Sequence, residues 1–381
     1  MTKHIFAAAN TPDGFIDYFS NIMPLEMAKE RYFLKGSSGS GKSTFIKKVA
    51  SMFESQGETT ERFHCSNDPK SLDALTVPDR GFCIIDATMP HSCDPVIPIG
   101  VDKIIDFAQF IKPQKIKKYV DELKFLLQTK TDLNKKISQC LKATGEIYLS
   151  ETEFFDAPKA QCGGNAAGAE AGFARCSEGA WGRSPHCSIE EWAERLGLES
   201  FKNSPIPASN EMPSSACEFL PRKLFLSAVT PSGFVSYAEG YFKNEPHPIA
   251  HSLLVEIKSI AMSAGVKTEI FYNPFAPQYI DHLHLPEFNA AFSAEKKHAE
   301  SDIFKNSLAA TIDAMNVSKS CHNKIEEIYA ATINFDAINK FTDKFITMGA
   351  TPPSPLATAD KVRFRSGRCA FVPRFARRKN G

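Results

Sequence analysis

"KGSSGSGKST", residues 35–44, decides the fold. Its spacing is G-x-x-x-x-G-K-[ST]: glycines let successive backbone N–H groups wrap a phosphate chain, a lysine reaches the outer phosphates, and a hydroxyl holds Mg²⁺. The flanks agree with that reading. "RYFLK" (31–35) is a short apolar run that predicts a strand, and "STFIKKVASMFESQG" (43–57) predicts an amphipathic helix closed by Gly57. A loop between strand and helix puts the anion at the helix N-terminus, where the macrodipole favours negative charge. Gly36, Ser37, Ser38, Gly39, Ser40 and Gly41 are therefore the expected cradle. Lys42 is expected on the β- and γ-phosphates, Ser43 on Mg²⁺, and Thr44 beside a more distal phosphate.

Working outward, "TERFHC" (60–65) and "GFCIID" (81–86) are further strand candidates. Strands alternating with helices imply a parallel sheet. Asp86 ends a buried apolar run 44 residues after Lys42, where a carboxylate orients Mg²⁺ through water. The glutamate that often follows such an aspartate is absent, because position 87 is alanine. In "ATMPHSCDP" (87–95), His91 is a candidate for sensing the γ-phosphate or orienting water, with Asp94 nearby. His64 and Asp68, at the end of the second strand, are weaker candidates of the same kind.

The chain repeats itself. "HIFAAANTPDGFIDYF" (4–19) aligns with "KLFLSAVTPSGFVSYA" (223–238) at an offset of 219, and "FHCSNDPKSLDALTVPD" (63–79) with "FYNPFAPQYIDHLHLPE" (271–287) at 208. The second copy is therefore 11 residues shorter between these segments, in the interval that carries the strand and glycine loop in the first. At the downstream offset Ala250 replaces Lys42, His251 replaces Ser43 and Ala294 replaces Asp86. The second copy is expected to hold no nucleotide. "TPDGF" (11–15) persists as "TPSGF" in the copy without the loop, which favours a structural turn.

Each copy then turns helical. Residues 114–141 carry apolar side chains near heptad spacing, predicting a long helix that forms half of a hairpin with the segment reaching Phe155. Residues 307–346 predict the same for the second copy. The organisation expected is a phosphate-loop unit with its hairpin at 1–155, a Gly/Ala-rich linker at 156–221, a degenerate unit at 222–346 and a Pro-rich, basic tail at 347–381. The tail has eight Lys/Arg after residue 360, interleaved with Phe364, Phe371 and Phe375, so nucleic acid is a partner class only through it.

Composition narrows the rest. A net charge of +1 gives no global pull toward polyanions, and no apolar run is long enough to span a membrane. Ten cysteines without C-x-x-C pairs argue against a zinc site or a disulfide framework, so a cytoplasmic setting with reduced thiols is expected.

The segments "TPDGFIDY", "KGSSGSGKST", "FHCSNDPKSLD" and "IIDATMPHSCDP", with "TPSGFVSY" and "FYNPFAPQYIDHLHLPEFNAAF" in the second copy, resemble a bacterial family of duplicated P-loop ATPases. Members of that family are expected to carry a phosphate loop in both halves; this chain lacks the second. The resemblance implies an α/β fold of tandem P-loop NTPase-like domains that bind ATP, or another NTP, with Mg²⁺. Hydrolysis coupled to movement of the helices, of a protein partner or of a homo-oligomer is the leading expectation. A small-molecule kinase is the second, although no arginine occurs between Gly81 and Ala174 to clamp a transferring phosphoryl group. A nucleotide-gated binding module without turnover is the third.

Overall fold

The fold is that of a computed structural model, described for residues 1–89, 93–154, 221–294, 296–297 and 299–349. The expected linker and basic tail lie outside these residues, as does His91. In chain order the elements are β1 (Thr2–Ile5), β2 (Ala8–Thr11), β3 (Gly14–Asp17), β4 (Glu30–Lys35), α1 (Lys42–Ser55), β5 (Thr60–Cys65), β6 (Asp68–Val77), β7 (Phe82–Asp86) and β8 (Asp102–Asp106). A short α2 (Pro113–Ile116) leads to the long α3 (Val120–Glu151) and β9 (Glu153–Phe154). The second half runs β10 (Arg222–Leu224), β11 (Ser227–Thr230), β12 (Gly233–Ser236), β13 (His247–Ile249), α4 (His251–Ser263), β14 (Glu269–Tyr272), β15 (Ile280–Leu285), β16 (Ala290–Ala294), β17 (Lys296–Lys297), α5 (Asp302–Thr332) and α6 (Phe335–Thr347).

Two α/β sheets carry the architecture, ordered β1-β5-β6-β7-β4-β8 and β10-β14-β15-β16-β13. Neither is the all-parallel sheet expected. β6 and β15 run antiparallel to both neighbours, while the flanking pairs are parallel. The strand that reverses begins "DPKS", a polar stretch that looks like a loop in sequence and becomes regular only once its neighbours supply ladder partners.

The repeat is carried in the register itself. Glu61 pairs with Thr76 as Glu269 pairs with His284, and a bulge after Phe63 recurs after Phe271. The strand preceding the glycine loop is not lost in the second copy, as the shortened interval suggested. β13 keeps its place beside β16, with Ile249 opposite Ala294 as Leu34 is opposite Asp86. From Leu34 to Ser43 is nine residues and from Ile249 to His251 is two, so the deletion removes seven residues of loop. The edge strand β8 has no counterpart among the described residues. In the first half, Arg31 anchors it through paired bonds to Asp102 at 2.7 and 3.0 Å, both side chains being buried.

Side-chain alternation sets the layers. Phe33, Cys83 and Ile85 face a shared core with Leu224, Phe271 and Ala291 of the other sheet, while Tyr32, Leu34 and Ile84 face α1 through Phe45, Ile46, Val49 and Phe53. The helix α4 covers the outer face of the second sheet in the same way. Burying each such large apolar side chain contributes about 1.5–3 kcal/mol. A local two-fold relation runs between the halves: Phe6 and Phe225 exchange backbone hydrogen bonds at 2.9 and 3.0 Å. Phe6 stacks on Tyr237 at 5.0 Å as Phe225 stacks on Tyr18 at 5.3 Å.

The helical hairpins expected inside each copy do not form among the described residues. α3 is one continuous helix, and its partner is α5 of the other copy, running antiparallel: Thr144 meets Thr311, Asn134 meets Ser318 and Lys130 meets His322. Heptad spacing shows that a helix face is buried, and the covering element here comes from the other half. α6 crosses further, packing Ile338 and Phe345 into the α1 core of the first half. No described helix is long and apolar enough to cross a membrane.

Candidate functional site

The glycine loop folds as its sequence requires. Gly39 and Gly41 have φ of +70° and +86°, left-handed values that favour glycine, and Gly41 caps α1 without a side-chain acceptor for the first-turn N–H groups. Lys42 is buried beneath the loop. Its Nζ donates to the Ser37 carbonyl at 2.6 Å and to Ser40 Oγ at 3.3 Å, and lies 3.6 Å from Asp86 Oδ2. Burial pushes the Asp86 carboxyl upward, opposed by the Lys42 charge, and Asp86 Oδ1 accepts from the Thr88 N–H at 3.0 Å. Ser43 Oγ accepts from the Leu72 N–H at 2.9 Å, which pins the hydroxyl to β6.

In this loop the Ser37 hydroxyl is buried with no hydrogen-bond partner among the described residues. Thr44 is exposed on the first turn of α1. Asp94 bonds to Lys35 at 3.2 Å, and Lys35 also donates to the Ala87 and Cys93 carbonyls, so this loop is tied to the strand end. Among the described residues no group of three or more His, Cys, Asp or Glu could hold a metal; the Mg²⁺ expectation rests on Ser43 and Asp86.

Several groups at the loop escaped the sequence reading. Asp73, on β6, is buried; burial first, and then the neighbouring Asp86 charge, push its carboxyl up to about 8, against a hydrogen bond from Cys65 and the Lys42 charge. Its only signal in the sequence is recurrence as Asp281. Glu326 arrives from α5. A Cβ on Gly39 would lie 2.7 Å from the Glu326 carbonyl oxygen, so no larger residue fits there. Hydrogen bonding by His322, and then by the Gly39 N–H, holds the Glu326 carboxyl below its ordinary range. Lys319 of α5 donates to Asp68 at 3.0 Å, and Lys130 of α3 donates to His322 Nδ1 at 2.9 Å. α5 thus brings a cation to the first half, and α3 returns one to α5.

His64 belongs elsewhere. Its Nε2 is 2.8 Å from His4 Nδ1, its Nδ1 is 2.7 Å from the Pro69 carbonyl, and its ring packs on Tyr237 at 4.7 Å. It is part of the contact between the halves. The "TPDGF" turn is held by its own threonine: Thr11 Oγ1 donates to the Gly14 carbonyl at 2.8 Å, and Thr230 does the same to Gly233 at 2.8 Å.

The corresponding place in the second half keeps the frame and loses the chemistry. His251 Nε2 accepts from the Ile280 N–H at 3.2 Å, as Ser43 does from Leu72. Asp281 accepts from Asn273 at 3.0 Å and pairs with Lys296. The glycine cradle is missing, and Ala294 stands where Asp86 would be. Compared with known proteins, the chain matches no family model, no curated protein and no solved structure.

Proposed function

We propose that the first half is a P-loop module that binds ATP, or another NTP, with Mg²⁺ and hydrolyses it slowly, and that the second half is its degenerate tandem copy. Kinship with duplicated P-loop ATPases is part of this proposal. The observation that carries it is Lys42. An ammonium buried under a left-handed glycine loop at a helix N-terminus, 3.6 Å from a carboxylate on the adjacent strand, is placed for a phosphate chain. On binding, Lys42 exchanges the Ser37 carbonyl for β- and γ-phosphate oxygens, and the loop N–H groups complete the cradle. Ser43 and Asp86 would hold Mg²⁺, which supplies charge neutralisation on the phosphates. Turnover is slow in this reading because Ala87 replaces the water-orienting glutamate and no arginine lies between residues 81 and 174.

The test is a calorimetric titration with a slowly hydrolysed ATP analogue. One site per chain is expected. Lys42→Ala removes a charged hydrogen bond worth about 1.5–3 kcal/mol, so affinity falls by roughly tenfold or more. Unchanged binding in the folded variant removes the reading. A phosphate-release assay then separates the chemistries: ADP with free phosphate marks a hydrolase, ADP with a phosphorylated acceptor a kinase, and binding without turnover a nucleotide-gated module.

A further inference from the structure

Beside the glycine loop, between α3 and α5, lies a small open cleft lined by Asn67, Lys130, Asn134, Ser318, Lys319 and His322, with Pro231 at its edge. The place related to it by the two-fold relation is filled. There, Phe275 stands at the position of Asn67, stacking on Tyr148 at 5.0 Å and on Phe234 at 5.4 Å. Val229, buried in the same cluster, stands at the position of Asn10, which instead bonds to Asn67 at 3.1 Å. Pro12 is pressed against α3 so closely that a Cβ on Gly145 would lie 2.4 Å from its ring, whereas its counterpart Pro231 borders open space. One copy has closed this position with aromatic packing; the other has kept it polar and open.

The cleft is also basic. Among the described residues that line it none is acidic, and Ile137 and Met315 form its apolar wall. The acceptor for the Lys130 ammonium is an imidazole nitrogen, His322 Nδ1, which leaves His322 Nε2 facing Glu326 at 3.4 Å. Lys319 is paired with Asp68, which does not line the cleft. Burial lowers the proton affinity of Lys130, opposed by the negative charge of Glu326 nearby. An oxyanion placed between Lys130 and Lys319 would accept from both ammonium groups, and the Asn67 and Asn134 amide N–H groups offer further donors, the Ser318 hydroxyl being already given to Asn134 Oδ1 at 3.0 Å.

We propose that this cleft binds the phosphate group of a second small molecule, at a site separate from the glycine loop. Glu326 links the two places, since it engages both His322 and the Gly39 N–H.

The test titrates inorganic phosphate into the full chain in two backgrounds: Lys42→Ala, and wild type saturated with the ATP analogue. The first disables the loop and the second fills it, so a failure of nucleotide binding is seen separately. The same single phosphate site is expected in both, with the His322 imidazole resonances shifting as it fills. Asn134→Asp, an isosteric change at an exposed position, places a carboxylate in the cleft and should weaken phosphate by at least tenfold; Lys130→Met should do the same. A parallel titration with glycerol 3-phosphate decides the source: tighter binding marks a phosphate ester as the ligand, equal binding free phosphate. No saturable phosphate binding, or binding unchanged by Asn134→Asp in a chain with wild-type circular dichroism, overturns the proposal.

Discussion

The glycine-loop site and its counterpart at His251 stand on the same frame and hold opposite contents. In one, Asp73 shares its surroundings with Asp86 and Lys42 beneath a loop rich in N–H donors. In the other, Asp281 is held by Lys296 and Asn273, and Asn273 is tied in turn to the Tyr148 hydroxyl at 2.8 Å. The second place carries its cation as the Lys296 side chain, which enters from β17. Register, bulge and the backbone bond to the first turn of the helix all survive removal of the seven-residue loop. The second copy keeps this frame without the loop, and it is Lys42 and Asp86, replaced there by Ala250 and Ala294, that the frame does without.

The comparison breaks most sharply at Arg222, which occupies the position of Lys3. Its side chain 15% exposed between the halves, Arg222 donates to both Glu61 oxygens at 3.0 and 2.6 Å, to Glu269 at 2.8 Å, and to the carbonyls of Asn21 and Ile22. Lys3 instead lies over the Tyr241 ring at 4.5 Å. Truncating one member of a buried ionic network leaves the others uncompensated, at about 3–5 kcal/mol. Arg222→Met should lower the unfolding free energy by that amount in denaturant titrations, whereas Lys3→Met should cost under about 1 kcal/mol. Equal effects would show that the two halves share the interface evenly, contrary to these contacts.

A smaller difference separates His64 from Tyr272, its counterpart. Burial pushes the His64 imidazole down to about 4, and His4, bonded to it, is lowered in the same sense. The unfolded chain takes up these protons near pH 6.5 while the folded chain does not, so stability is full above 6.5 and falls as pH drops toward 4. The loss through His64 is at most about 1.4 kcal/mol per pH unit. His64→Tyr, which installs the residue of the other half, should flatten the dependence of the unfolding midpoint on pH between 6.5 and 4. A slope unchanged by that substitution would assign the acid sensitivity to other groups.

Much of this frame is legible in the chain, and its failures have physical causes. The strands around Tyr32, Phe63 and Ile84 announce themselves as apolar runs because both of their faces are covered. β6 does not, since its "DPKS" start is polar, and β8 does not, since "DKIID" at an edge buries only part of itself. Lys42, Ser43 and Asp86 are legible because a short local spacing fixes their relation. Glu326 is not, because what brings it to the loop is the pairing of helices from different copies, and heptad spacing does not name a partner. Asp73 was visible only as a recurring letter; its company with Asp86 depends on the antiparallel turn of β6.

The finest test concerns the turns that both copies keep. Thr11 Oγ1 donates to the Gly14 carbonyl and accepts from the Asp13 N–H at 3.2 Å; Thr230 donates to Gly233 and accepts from Ser232 at 3.1 Å. Both side chains are fully buried, and both hairpins pair in the same antiparallel register. Thr→Val keeps the shape and removes the hydroxyl, so each substitution costs about 0.5–1.5 kcal/mol for the lost hydrogen bonding, and more if the freed N–H stays buried. A purely structural turn predicts equal losses for Thr11→Val and Thr230→Val, adding in the double variant because the two sites share no partner. It also predicts nucleotide affinity unchanged by either. If Thr11→Val weakened nucleotide binding while Thr230→Val left it intact, the turn would belong to the site of the first half, and the likeness of the two hairpins would hide a division of labour.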